Sequence, residues 1–230
     1  MTDIFLLPFA GGSSLTYGEW EFSGDIRPVP LDYKGHGFRM KEPLYQTFEE
    51  MVNDIADQIA DKRENDDIAI FGHSMGGLVA WDVTKSLTDR GMNVKYFFVS
   101  ACLPPHLFNE RLYEEMATDK WLTKFLSEYS RVRQNRLQSK YFKKNIFPAV
   151  RNDYHLISIH KHEKVRVIHT NISCFYGRDD NLMPCSGMGS WREYTKGTFH
   201  KQAFSGEHFY IENPDNREEV IAAIESLINA

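Results

Sequence analysis

The sequence predicts an α/β fold in which a mostly parallel sheet is flanked by helices. Two patterns carry this expectation. Short apolar runs of strand length alternate with stretches of helical periodicity, an order that implies crossover connections and strands covered on both faces. One junction runs from Asp67-Ile68-Ala69-Ile70-Phe71 through Gly72-His73-Ser74-Met75-Gly76-Gly77 into Leu78-Val79-Ala80-Trp81-Asp82-Val83, passing from strand to helix across a glycine-rich turn. A length of 230 residues fits one such domain with a single large core.

The elements follow in order. Ile4 to Leu7 forms the first strand and ends in the loop Pro8-Phe9-Ala10-Gly11-Gly12-Ser13-Ser14. Arg27 to Asp32 is the second strand, followed by a turn at Lys34-Gly35-His36-Gly37. Phe48, Met51, Val52, Ile55 and Ile59 recur at three- and four-residue spacing and mark an amphipathic helix. After the glycine-rich junction and its helix, Val94 to Ser100 is another strand. The rhythm then breaks. Helical patterns follow one another without a strand, and Trp121, Phe125, Tyr129, Tyr141, Phe142, Phe147 and Tyr154 crowd the stretch. Residues at about 104–164 read as an inserted helical lid over the carboxyl edge of the sheet, with these aromatics as the lid's own core. Asn171 to Tyr176 and Thr198 to Phe204 complete the sheet, and Asn216 to Ile228 is the last helix. With no repeat or linker, residues 1–230 read as a single domain.

Composition narrows the function. The chain is 42% hydrophobic and 26% charged, as soluble globular proteins are, and its net charge of −5 argues against general nucleic-acid binding. Cys102, Cys174 and Cys185 have no metal-binding spacing and make no even disulfide set, which fits buried thiols in a reducing compartment. The apolar run Ile4 to Leu7 is broken by Pro8, preceded by Asp3, and too short for a signal peptide. No stretch reaches transmembrane length. The expected location is the cytoplasm.

The Gly-x-Ser-x-Gly pattern at Gly72 to Gly76 sits where a serine nucleophile needs it. A strand turning sharply into a helix lifts the Ser74 hydroxyl above the sheet edge, and flanking glycines let the two elements pass without a Cβ clash. The helix start supplies the Met75 amide to a developing oxyanion. A serine hydroxyl also needs a base, and the base needs an acid to fix its tautomer. His208, in Gly206-Glu207-His208-Phe209 between the last strand and last helix, is the candidate base. His73 adjoins the serine, His200 falls in a strand, and His36, His106, His155, His160, His162 and His169 lie on other loops or in the lid region. The acid belongs on Gly177-Arg178-Asp179-Asp180-Asn181 after the preceding strand. Counting from the glycine selects Asp180, with Asp179 as its solvated neighbour or a loop cap. Asp32, Asp82 and Asp153 lie on the wrong elements.

Pro8-Phe9-Ala10-Gly11-Gly12, the serine motif, Gly177-x-x-Asp180 and Gly206-x-His208-Phe209 together give a chain that resembles the type II thioesterases. These are editing hydrolases of non-ribosomal peptide and polyketide synthases, with the α/β-hydrolase fold. The resemblance extends to Ser100-Ala101-Cys102-Leu103-Pro104-Pro105-His106 before the lid, and to Phe147-Pro148-Ala149-Val150-Arg151-Asn152-Asp153-Tyr154 at its close. Lys34 stands where the family usually has proline, and the stretch from Leu126 to Asn145 lacks the expected glycine and proline. The resemblance implies hydrolysis of acyl groups from the phosphopantetheine arm of acyl- or peptidyl-carrier proteins. That arm belongs to the substrate, so no cofactor and no metal are expected. It also implies a second oxyanion amide in the first-strand loop, from Phe9 with Ala10 as the alternative. A general carboxylesterase or acyltransferase of the same fold, or a non-catalytic binding protein, are the rival readings. A monomer without nucleic-acid or membrane partners is expected.

From Ala117 to Arg151 nine basic residues face two acidic ones, a local reversal of the chain's charge. Carrier proteins are generally acidic. Arg131, Arg133, Arg136, Lys140, Lys143 and Lys144 are therefore candidates for steering one to the site; the alternative is a solvated helix face.

Overall fold

A computed structural model describes residues 1–108, 115, 118–129, 139–160 and 165–230. Its sheet comprises β1 (Thr2–Leu7), β2 (Ile26–Pro30), β3 (Asp67–His73), β4 (Val94–Ser100), β5 (Asn171–Gly177) and β6 (Phe199–Phe204). The order is β2-β1-β3-β4-β5-β6, and every neighbouring pair is parallel. The chain crosses back between strands through α1 (Phe48–Lys62), α2 (Met75–Asp89) and further helices, ending in α5 (Pro214–Ile228).

The apolar strand runs are explained by cover on both faces. In β1, Phe5 and Leu7 join one core with α1 and α2, while Ile4 and Leu6 join the other with α5, Tyr17 and Trp20. β3 splits in the same way, Ile68 and Ile70 facing one core and Ala69 and Phe71 the other. A strand that alternates between two dry faces is apolar along most of its length, and the buried polar exceptions sit at strand ends or with partners, as Asp3 does with Arg27 and the Glu64 and Asn65 amides. On α1 the predicted stripe of Phe48, Met51, Val52, Ile55 and Ile59 is buried, and the Thr47 hydroxyl caps the helix by accepting from the Glu50 amide.

Between β4 and β5 the described residues form a short turn at Pro105–Leu107, α3 (Asp119–Tyr129), a wide π turn at Phe142–Ile146 and α4 (Phe147–Ile159). Arg151 of α4 pairs with Asp119 of α3 at 2.6 Å. At the far end of α4, His160 Nε2 lies 3.0 Å from Asp82 Oδ2 on α2, and its ring stacks on Phe48. Among the described residues, no helix is long and apolar enough to cross a membrane.

The strands end level. Leu7 pairs with Gly72, His73 with Ser100, Ser100 with Phe175, and Gly177 with Phe204. The loops after β1, β3, β5 and β6 therefore emerge side by side, at the edge where open α/β sheets bind their ligands.

Candidate active site

Ser74 follows β3 directly and precedes the first residue of α2. Its backbone is strained, at φ 55° and ψ −121°, a conformation that costs roughly 1–3 kcal/mol and persists only when neighbours impose it. Here the Ser74 amide donates to Ser100 O at 2.8 Å, and the Gly77 amide donates to Ser74 O at 2.9 Å. Gly76 lets α2 start so close to β1: a Cβ there would stand 2.3 Å from the Leu7 carbonyl oxygen. The glycine spacing read in the sequence is thus a packing requirement.

His208 follows β6, with Nε2 2.9 Å from Ser74 Oγ and Nδ1 2.8 Å from Asp180 Oδ2. A carboxylate can only accept, so Nδ1 carries the proton and Nε2 presents its lone pair to the serine hydroxyl. Asp180 Oδ1 accepts from the Leu182 and Met183 amides, each at 2.9 Å. The Asp180 and His208 side chains are only 0% and 4% exposed. Asp179 is exposed, and its amide instead donates to Gly206 O, joining the two loops. The structure brings together Ser74, His208 and Asp180, the residues picked out by the sequence spacing.

Met75 opens α2, where an amide has no partner within the helix. The first-strand loop lies alongside. Phe9 packs edge-on against Phe209 at 4.9 Å, and Ala10 lines the same pocket as Ser74 and Met75. Within the loop Gly12 donates to Phe9 O at 2.8 Å, and two bonds tie it to its neighbours: Tyr33 Oη donates to Pro8 O at 3.1 Å, and Gly11 donates to Asp153.

The pocket behind Ser74 and His208 is a cavity of about 20 Å³, lined by Leu78, Phe108, Trp121, Tyr154, Ile157 and Met183 among others. That is room for little more than one water-sized group. Trp121 and Tyr154 pack on each other and on Phe125, as the expected core of this region, and also reach the pocket from α3 and α4. Tyr141 departs from that expectation, being 56% exposed. Cys102 also lines the pocket, but burial pushes its thiol far up, so it is inert as a nucleophile there.

A thioesterase domain model matches residues 2–228. The chain belongs to the thioesterase domain family. Thioesterase PikA5 of Streptomyces venezuelae is 27% identical over 210 residues, covering 89% of this chain and 74% of that protein. Among solved structures, ClbQ from the colibactin NRPS/PKS pathway superposes with a TM-score of 0.88 at 26% identity, covering 99% of this chain and 97% of that one. RedJ, a thioesterase from the prodiginine biosynthetic pathway in Streptomyces coelicolor, gives a TM-score of 0.86 at 26% identity, covering 98% and 85%.

Several residues of this thioesterase escaped the sequence reading. His73 is fully buried with its ring 5.4 Å from that of His208, and its Nδ1 lies 2.8 Å from Ser100 Oγ, itself 2.7 Å from Tyr210 Oη. Burial, reinforced by the nearby His208, pushes its pKa well below the usual value, so it stays neutral. Tyr210 belongs to the loop that carries His208, so this polar chain pins that loop to β3 and β4. Nothing in the spacing marks it. Asp153 left a signal, being an acid on the apolar face of α4 between Val150 and Tyr154. Of the basic candidates, Lys140, Lys143 and Lys144 are exposed next to α4, while Arg131, Arg133 and Arg136 lie outside the described residues.

Proposed function

We propose that this chain is a serine thioesterase that releases acyl groups from the phosphopantetheine arm of carrier proteins serving non-ribosomal peptide or polyketide assembly. The observation that carries the mechanism is the hydrogen-bonded line Asp180–His208–Ser74 at the wall of an apolar pocket. Ser74 Oγ attacks the thioester carbonyl while His208 Nε2 takes its proton, and Asp180 stabilises the imidazolium. The carbonyl oxygen becomes an oxyanion held by the Met75 and Phe9 amides. As the carbon–sulfur bond breaks, His208 returns the proton to the pantetheine sulfur. Water, deprotonated by the same nitrogen, then cleaves the acyl-serine ester and regenerates Ser74.

The carrier as partner is supported by the pathways of similar proteins and by the exposed lysines beside α4. In this reading the helices between β4 and β5 form a lid over the acyl pocket. The test compares acyl-carrier and acyl-pantetheine thioesters with an oxygen ester of the same acyl chain. The thioesters should turn over faster, and the carrier-bound one should show the higher kcat/KM. Preference for the oxygen ester would replace this reading with that of an esterase.

A further inference from the structure

α4 carries a buried acid that the reaction does not use. The Asp153 side chain is 2% exposed, and a single oxygen, Oδ2, meets both the Gly11 amide at 2.8 Å and His36 Nε2 at 3.0 Å. Gly11 sits at φ 77°, and a Cβ there would be 2.6 Å from Val150 Cγ2, one turn before Asp153 on the same face. The first-strand loop is therefore pressed onto α4 at two successive turns. Its other anchors come from the loop after β2: Tyr33 holds the Pro8 carbonyl, and Asp32 accepts from the Ser14 amide at 2.7 Å. Phe9 and Ala10 lie between these fixed points.

We propose that Asp153, seated by His36, is a positioning residue for the oxyanion loop, drawing the Gly11 amide onto α4 and so aiming the Phe9 amide at the substrate oxygen. This rests on the serine thioesterase reading. It extends it by making the helical region part of the catalytic geometry rather than only a cover.

The chemistry of His36 supports the arrangement. Its Nδ1 lies 3.1 Å from the Lys34 carbonyl oxygen, which can only accept, so Nδ1 bears a proton. Its Nε2 faces the carboxylate in a charge contact off the straight hydrogen-bond line. A neutral ring would turn a lone pair towards a carboxylate, so the contact favours the doubly protonated ring. Burial alone would lower its pKa. The charge of Asp153 outweighs this, with help from the Lys34 carbonyl and Asp32, and the pKa is raised. The groups facing His36 are Asp153 from α4, and Asp32, the Lys34 carbonyl and the Tyr33 ring from its own loop. With the carboxylate charged, the pairing is in place below the ordinary imidazole range and is lost as pH rises through the raised value. Above that, the carboxylate loses its charged partner and the grip on Gly11 loosens. The wild type should therefore show an alkaline fall in kcat.

The experiment measures kcat, KM, pH profile and melting temperature for Asp153→Asn, Asp153→Ala and His36→Gln, using acetyl-pantetheine and p-nitrophenyl acetate. Misplacing one oxyanion donor costs about 10²–10³ in kcat, so Asp153→Ala should fall by about 10² on both substrates with little change in KM. Asp153→Asn keeps an oxygen for Gly11 and should recover part of that loss. His36→Gln and Asp153→Asn should both lack the alkaline fall. A variant that melts lower but keeps wild-type kcat and pH profile while folded would overturn the proposal. If the wild type acts on the oxygen ester and not the thioester, the thioesterase reading fails while the Asp153 effect stands. A wild type inert on both overturns the two together.

Discussion

Replacing Asp180 by asparagine changes one atom of the site and should nearly abolish turnover. The Asp180 carboxylate is wedged between three N–H groups, the Leu182 and Met183 amides on Oδ1 and His208 Nδ1 on Oδ2. An asparagine has one acceptor oxygen. Facing the two amides, that oxygen leaves the side-chain NH₂ pointing at Nδ1, so the ring must accept there and carry its proton on Nε2, against Ser74. Facing the histidine instead, it sets an NH₂ against two backbone donors in a site that water does not reach. The first arrangement satisfies more donors and wins. His208 then cannot take the serine proton, and the loss expected for a wrongly tautomerised triad histidine is about 10⁴ in kcat, or about 5.5 kcal/mol of barrier. Release of free thiol from acetyl-pantetheine, followed by a disulfide-exchange dye, measures this directly. Asp179→Asn is the control, since that side chain is exposed and its loss should cost less than twofold. An Asp180→Asn enzyme within tenfold of wild type, or the reverse ranking of the two aspartates, would refute the reasoning.

The remaining expectations are briefer. Ser74→Ala should lose about 10⁶ in turnover while staying folded; near-native hydrolysis of an acyl carrier by this variant would end the serine mechanism. Reversing the charge of Lys140, Lys143 and Lys144, which are exposed beside α4, should lower kcat/KM and its salt dependence towards an acyl carrier. Free acyl-pantetheine should be unaffected, and equal losses on both would point to disturbed packing. Because Trp121 and Tyr154 close a cavity of about 20 Å³, Trp121→Ala should raise kcat/KM for octanoyl over acetyl thioesters by about tenfold or more; an unchanged ratio would mean the acyl chain lies elsewhere. Tyr210→Phe removes the hydroxyl 2.7 Å from Ser100 Oγ and should cost about 1–3 kcal/mol in urea unfolding.

The sequence was most readable where a local rule had one solution. Apolar runs of strand length could be placed because strands covered on both faces are apolar along most of their length, and Val94–Ser100 matches the observed strand to the residue. Ser74 and His208 were legible because each sits at a strand-to-helix loop, and Asp180 because its position is counted from the glycine ending β5. What stayed hidden depends on contacts between segments far apart in the chain. The Gly11–Asp153 bond spans 142 residues, and no periodicity in either segment announces it. The same holds for the polar chain from His73 to Tyr210, whose members read in isolation as an ordinary strand residue and a loop tyrosine. That Trp121 and Tyr154 also line the pocket was hidden for a related reason: helical spacing tells which face of a helix is buried, not what it is buried against.

The level strand ends have a consequence for the birth of the enzyme. Ser74 and His208 are 134 residues apart, and His208 hangs from β6, the edge strand, which pairs only with β5. A chain emerging from the ribosome completes its reactive turn long before it owns a base. In the serine thioesterase reading, that turn is a serine of ordinary, feeble reactivity until the far edge of the sheet docks. The dependence runs in reverse on heating. Edge strands open at lower free energy than the strands between them, so esterolysis should vanish a few degrees before the bulk of the sheet melts.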